Sequence, residues 1–482
     1  MKRAHLIARA ELALMIRSRV ALIGVIALVL LSTIAAASSH AHMAQERQNR
    51  LANQTQTDAL FEAQPARHPH RMVHYGSYVY RPIGSLAGFD PGIDPFSGTT
   101  LYLEGHRQNS ATISAVRENS SLLRFGQLTP AFVLQTLAPL LLIFLGFSMI
   151  TRERTQGSLR LLLSSGVTPG DLVLGKTLAL GVVGFAALTP AWLALILMAI
   201  AMPSEAVAAA MIGLGYGLYV AIWVLGIVSA SALARSGQAA LLILIGIWCF
   251  VAIIAPRGAA ELASRLVPLD SRAATDLRIQ AELRELGDSH NPDDPFFAAF
   301  KARTLARYGV TKIEDLPFNF RGAVSAEGEA LTSRLFDKYF SKLAATQRAQ
   351  SQIVSHLSIL SPALAVRRVS MAGAGTDLET HLRFLQQSEA HRFAMVQYLN
   401  GLHRDKLRLA DDAARSKDRQ AEQRTRIASD YWAKAPDFMF KPTSTAERFS
   451  AAISPILKLA AWLAGLVVLA GFSARTLGAR AL

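Results

Sequence analysis

Six blocks of this chain carry almost no charge: Val20–Ala37, Leu128–Ile150, Thr177–Met202, Ala206–Ala234, Ser236–Ala255 and Leu459–Ala474. A bilayer core takes roughly 20 apolar helical residues, with about 17–25 as the usual range. Each block is long enough to cross, the last one once Ile453–Lys458 joins it. One such block could be a buried helix of a soluble protein. Six in a 482-residue chain that is 51% hydrophobic and 18% charged argue for membrane spans. The expected fold class is therefore a membrane, all-α protein with six transmembrane helices, plus a small mixed outer segment after span 1 and a large helix-rich outer domain between spans 5 and 6.

The domain limits follow from the blocks. Residues 1–37 hold an interfacial helix and span 1, 38–127 the first outer segment, and 128–256 spans 2–5 with a short helix at 152–166. Residues 257–452 form the large outer domain, and 453–482 span 6 and a tail. The net charge of +15 does not indicate nucleic acid. Much of it sits in short loops: Lys2, Arg3, Arg9, Arg17 and Arg19 against Glu11 alone, four basic residues between Thr151 and Lys176, and Arg475 with Arg480 at the end. Short Lys/Arg-rich loops stay cytoplasmic, which puts both termini inside. The large outer domain carries 29 Lys and Arg against 24 Asp and Glu between Arg257 and Ala452, a mixed, solvated surface.

Within the tail, Leu6, Ala10, Ala13 and Leu14 share one helical stripe, which suits a helix lying on the inner surface. The positive tail, apolar run and Ala35–Ala41 also resemble a secretory signal with a small-residue cleavage site. Cys249 is the single cysteine and lies in span 5, so the outer regions contain no disulfide. Periodicity predicts long helices over Ala326–Leu357 and Asp377–Asp430, with Leu331, Leu335, Phe336, Tyr339 and Phe340 on one stripe and Thr376 or Asp377 as N-cap. Arg404–Arg426 reads as an exposed charged helix or arm. The Pro-, Gly- and aromatic-rich run from Tyr75 to Asn109 reads as turns and short strands.

The loop between spans 2 and 3 is "RERTQGSLRLLLSSGVTPGDLVLGK", Arg152 to Lys176. Gly170–Thr177 spells G-x-x-x-x-G-K-T, but it runs straight into a membrane span, and no buried strand or acidic partner motif is available to serve it. Lys176 reads instead as an interfacial anchor with its ammonium among headgroups. Leu159, Leu162 and Leu163 fall at i, i+3 and i+4, giving a short amphipathic helix. This stretch closely resembles the intracellular loop of permease subunits of type-two ATP-binding-cassette exporters, through Glu153, Gly157, Leu159, Leu161–Leu163, Gly175 and Lys176. It departs in having Ser158 where threonine is commoner. "FDPGIDPFSGTTLYLEGHRQN" and "LSPALAVRRVSMAGAGTDLETHLRFLQQSEAHRF" resemble two signatures of a subgroup with large extracytoplasmic inserts.

The resemblance implies a coupling helix seated in a separate ABC ATPase subunit, which would bind ATP and Mg; no cofactor is expected on this chain. It implies Leu159, Leu162 and Leu163 as the face buried in the partner, Arg152, Glu153 and Arg154 as polar contacts, and Gly157 as a close-approach residue. Six spans make half a transporter, so a second permease, identical or related, is implied, with membrane lipid around it. The implied location is the bacterial inner membrane. A pathway could be lined by Trp192, Tyr216, Tyr219 and Trp223, although Gly213, Gly215 and Gly217 read more simply as a helix-packing face. Ion-coupled exchange would want ionisable groups at mid-membrane, whereas Lys176, Glu205, Arg235 and Lys458 all lie near span ends. A different class, a membrane-anchored metal-binding or enzymatic outer domain without transport, rests on His68, His70 and His74 in "HPHRMVH". No nucleophile-elbow pattern accompanies the many serines and histidines.

Overall fold

The computed structural model describes residues 2–109, 128–287 and 294–481; part of the first outer segment, 110–127, lies outside them. Among the described residues six helices are long and apolar enough to cross a membrane: Ala21–Glu62, Pro130–Thr155, Pro169–Ala201, Pro203–Leu233, Gly237–Leu266 and Thr445–Ala479. They coincide with the six expected blocks, and the last begins well before Ile453. Six crossings put both termini and the 152–166 loop on one side. The two long inserts share the other.

Span 4 is central, packing on spans 3 and 6 and on an insert helix, Pro362–Ala374. That helix contributes Ala363, Ala365, Val366 and Val369 to the same core as the spans. A Cβ on Gly215 would lie 2.9 Å from Val369, and one on Gly373 2.6 Å from Ile212, so these glycines set how closely the two helices approach. Tyr216, Tyr219 and Trp223, considered above as pathway lining, are buried in this core and face no open surface of the chain. Trp192 is half-buried, its indole N–H donating to the Gly213 carbonyl at 3.1 Å.

Spans 2 and 5 each contain one π-helical turn, Val133–Leu137 and Phe250–Ile254. Each turn is followed within two residues by a proline, Pro139 or Pro256, which has no N–H to give to a carbonyl one turn back. Side chains from neighbouring helices take over. The Tyr219 hydroxyl donates to the Gln135 carbonyl (2.8 Å), the Trp248 indole to Thr136 (3.0 Å), and the Ser361 hydroxyl to Val251 (2.8 Å). Tyr216, held by the Gln135 amide at 2.7 Å, bonds onward to Ser370 at 3.2 Å.

On the insert side the first-span helix does not stop at the membrane but runs 44 residues, Arg19–Glu62. Two short antiparallel strands follow, β1 (Ser77–Tyr80) and β2 (Thr100–Leu103), as the turn-rich composition predicts. The large insert is built on Phe320–Leu357 packed against Leu378–Lys406, which Asp377 caps. Leu335 and Phe336 of the expected stripe are buried. The expected arm at Arg404–Arg426 is instead two short helices, Leu409–Ala414 and Arg419–Arg424, folded back so that Asp412 is buried.

The two signature stretches meet here. Thr376 Oγ1 donates to the Asp90 carbonyl (2.9 Å), and the Ile93 N–H to the Thr376 carbonyl (3.1 Å). Gly92, at φ +53°, has room only because it lacks a Cβ, which would fall 2.3 Å from that carbonyl. Tyr219→Phe should leave the Gln135 carbonyl without its donor and cost about 1 kcal/mol, read as a lower unfolding midpoint in detergent; an unchanged midpoint would show that the proline-induced turn needs no such partner.

Candidate functional site

On the side of the termini, the N-terminal helix Lys2–Arg17 turns Ala4, Ala8 and Glu11 inward, leaving Leu6 and Leu14 exposed. The alanines let it lie close on span 3, where a Cβ on Gly175 would fall 2.7 Å from Ile7. The lone acid of the tail is thereby carried inside. Lys176 Nζ lies 2.6 Å from Glu11 Oε2 and 2.8 Å from Glu153 Oε1, and Arg152 Nη2 reaches Glu11 Oε1 at 3.1 Å. Lys176 is 2% exposed. Its ammonium therefore does not sit among headgroups as the sequence reading had it, but joins the N-terminal helix, the loop and span 3. The G-x-x-x-x-G-K-T residues form the capped start of that span's helix, with Thr168 and Asp171 as a capping box.

Glu153 also accepts a hydrogen bond from the Ser158 hydroxyl, at the position where threonine was the commoner residue. Arg154 donates to the Ala232 carbonyl at 2.7 Å and to that of Ala234, capping span 4. Thus Arg152, Glu153 and Arg154 are all engaged within the chain. Gly157 stands at φ +78° with nothing near its missing Cβ, so within this chain the requirement for glycine is conformational. It starts a helix over Ser158–Ser164.

The apolar face of that helix turns inward. Leu159 is buried in the chain's own core, with Leu162 and Leu163 packed partly against it. The outward face carries Arg160 and Leu161, the latter 72% exposed. Sequence spacing identified the helix; of the face that the resemblance implied for a partner, Leu159 is covered by the chain itself, and Leu162 and Leu163 are partly covered.

On the insert side the three histidines part company. His68 caps the short helix Pro69–Val73, its Nδ1 accepting from the His70 N–H (3.1 Å), while its Nε2 lies 3.2 Å from Asp412. Both ring nitrogens are occupied. Asp412 also meets His403 (2.9 Å), Asn319 (3.2 Å) and Arg415 (3.4 Å). Burial works against its charge, yet the bonds from His403 and His68 hold its carboxyl well below the usual range. Asp412 is thus satisfied from several sides, while His403 Nδ1 is buried without a partner, and His68, His403 and Asp412 are themselves close enough to hold a metal ion. His70 and His74 instead converge with His106, which sequence reading passed over although it lies in the first signature. Burial, reinforced by His74 and His106, pushes the His70 imidazole down to about 3, keeping it neutral.

Helix lengths and composition make the chain a multi-pass membrane protein. Residues 272–441 match a family profile described as a domain of unknown function, DUF3526. The match covers most of the large insert and about a third of the chain, and includes Asp412, Glu329 and Arg392. No curated protein matches the chain.

Lys176→Ala would leave Glu11 buried and lacking its closest partner, a loss of about 3–5 kcal/mol. Pairing Lys176→Met with Glu11→Leu should recover part of it, because apolar replacement of a buried pair is often neutral, while Glu153 still loses its bond to Lys176. Aggregation temperature of the solubilised protein measures both; equal loss in the single and double variants would refute the pairing.

Proposed function

We propose that this chain is the permease subunit of an ATP-driven exporter of the type-two ATP-binding-cassette class, worked by an ATPase on a separate chain. The observation that carries the reading is the Ser158–Ser164 helix. An apolar side chain, Leu161, projects from a short helix whose base is fixed to three other elements by Glu11, Arg152, Glu153, Arg154 and Lys176. A helix so anchored moves as a unit with the spans, which is what transmission between packed rigid bodies requires.

In this reading the termini and the helix face the cytoplasm, the inserts face outward, and the membrane is the bacterial inner membrane. The internal ion network makes the lever stiff. The partner grips the exposed Arg160–Leu161 face rather than Leu159, Leu162 and Leu163. A second permease, identical or related, completes the transporter. ATP and Mg belong to the ATPase, and the cargo crosses between the two permeases. Nucleic acid has no part in it. The purified chain alone accordingly has no ATPase activity, and Lys176 has no role in nucleotide binding.

A photo-crosslinker at Leu161, installed in cells, should capture a protein bearing a Walker-type phosphate loop. One at Leu242, equally exposed but on the outer face of span 5, should not. Leu161→Asp should lower recovery of the permease–ATPase complex about tenfold or more, since a carboxylate would be desolvated in an apolar socket. Insertion should be unaffected, because Leu161 touches nothing the chain needs. Equal crosslinking from both positions, or full assembly of Leu161→Asp, would overturn the reading.

A further inference from the structure

The His70, His74 and His106 ligating nitrogens all lie within 4.8 Å of one another on the insert side. We propose that they form a binding site for a late transition-metal dication, of the zinc or copper type. The site is independent of the coupling helix and remains to be tested whether or not the chain is a permease.

The first argument is spacing. His70 and His74 lie four residues apart at one short helix and its C-cap, with their Nε2 atoms 3.2 Å apart. Nitrogen ligands at ~2.0–2.1 Å from a tetrahedral ion stand about 3.3 Å from one another. Bringing His106 to the same spacing takes a shift of about 1.5 Å at most, within reach of a side-chain adjustment.

The second argument is how His106 is held. It is the one non-glycine residue with positive φ among the described residues, at +62°. It occupies the third position of the Glu104–Arg107 turn, where glycine or asparagine is usual. Gly105 brings that turn onto the His70 helix: its N–H donates to the Val73 carbonyl at 3.0 Å, and a Cβ there would fall 2.2 Å from Val73. A bulky residue kept in this conformation is a feature that the surrounding structure enforces.

The third argument is the carboxylate behind it. Glu329 is fully buried, with Oε2 3.0 Å from His106 Nδ1 and 3.2 Å from the His106 backbone N–H. A proton on Nδ1 places the ring's lone pair on Nε2, the arrangement by which a carboxylate orients a metal-bound histidine. Arg392 fixes Glu329 from its other oxygen and chelates Glu389 at 2.7 and 2.8 Å. Two carboxylates therefore face one guanidinium, and a bound dication would balance the surplus.

Three imidazoles without a thiolate favour zinc, copper or nickel over magnesium or calcium. Three protein ligands leave a position open, and His74 is on the surface, so an ion can enter from solvent. His68 lies outside this group, its Nε2 facing Asp412 and its Nδ1 accepting from the His70 N–H.

The test uses the full-length protein, solubilised, free of any polyhistidine tag and stripped with chelator. Titration calorimetry with Zn2+, and metal content after gel filtration, should give one ion per chain. Mg2+ should give none. His74→Ala, at an exposed position, and His106→Asn, which tolerates the left-handed turn, should each weaken binding about tenfold or more. Glu329→Gln, at a positioning residue, should weaken it roughly 10–100-fold; His391→Ala should not. Absence of Zn2+ binding by the wild type at tens of micromolar, or full stoichiometry and affinity in both His74→Ala and His106→Asn, would overturn the proposal.

Discussion

Bilayer hydrocarbon offers no hydrogen-bonding partner, so backbone groups freed inside the bundle have to be answered by the bundle itself. That constraint accounts for much of the geometry here. Pro139 and Pro256 remove donors, and carbonyls one turn back are met by Tyr219 and Ser361 from other helices, with Trp248 bonding the neighbouring Thr136 carbonyl. Ser361 belongs to the insert. The helix it begins packs into the same core as the spans and is a structural part of it. At the opposite end, Lys176 can sit inside the protein only because Glu11 and Glu153 close on it.

The spans were legible because hydrocarbon thickness is a length filter that composition alone can pass or fail. The short amphipathic helix was legible as well, from three leucines at helical spacing. Its orientation was not. Periodicity reports that a face is apolar without saying what covers it, and the core of the same chain was the nearer candidate for Leu159. Lys176 was misread for a related reason. A lysine at a span end ordinarily reaches water, and its burial depends on an acid 165 residues away in sequence. The signal that could have raised the question is Glu11, a single carboxylate among five basic residues of the tail.

The histidines show the same limit more sharply. Proximity in sequence grouped His68 with His70 and His74, but a helix N-cap turns His68 toward Asp412, away from its neighbours. The third member of the real triad comes from a turn 32 residues beyond His74, and its orienting carboxylate from a helix 223 residues beyond that turn. Only the meeting of the two signature stretches hinted at it: one contains His106, the other Glu389 and Arg392. Local patterns specify elements. Sites assembled from several elements need the tertiary structure.

The two ends of the molecule are joined by continuous helix. The first-span helix rises about 1.5 Å per residue, and its 44 residues run from Arg19, just after the N-terminal helix that carries Glu11, to Glu62, with Phe61 in the insert core. His68 and the His70 helix follow directly. Span 6 is the second such rod, starting at the insert and ending on the side of the termini. Arg152 and Lys176 tie the base of the loop helix to Glu11, and the N-terminal helix leads straight into the first rod. If the chain works as proposed, the insert cannot be a passive ornament. Its histidine turn, held against the His70 helix by Gly105 and against the long outer helix by Glu329, bridges the segment that follows span 1 and the large insert. An ion coordinated across that boundary would favour one relative position of the two.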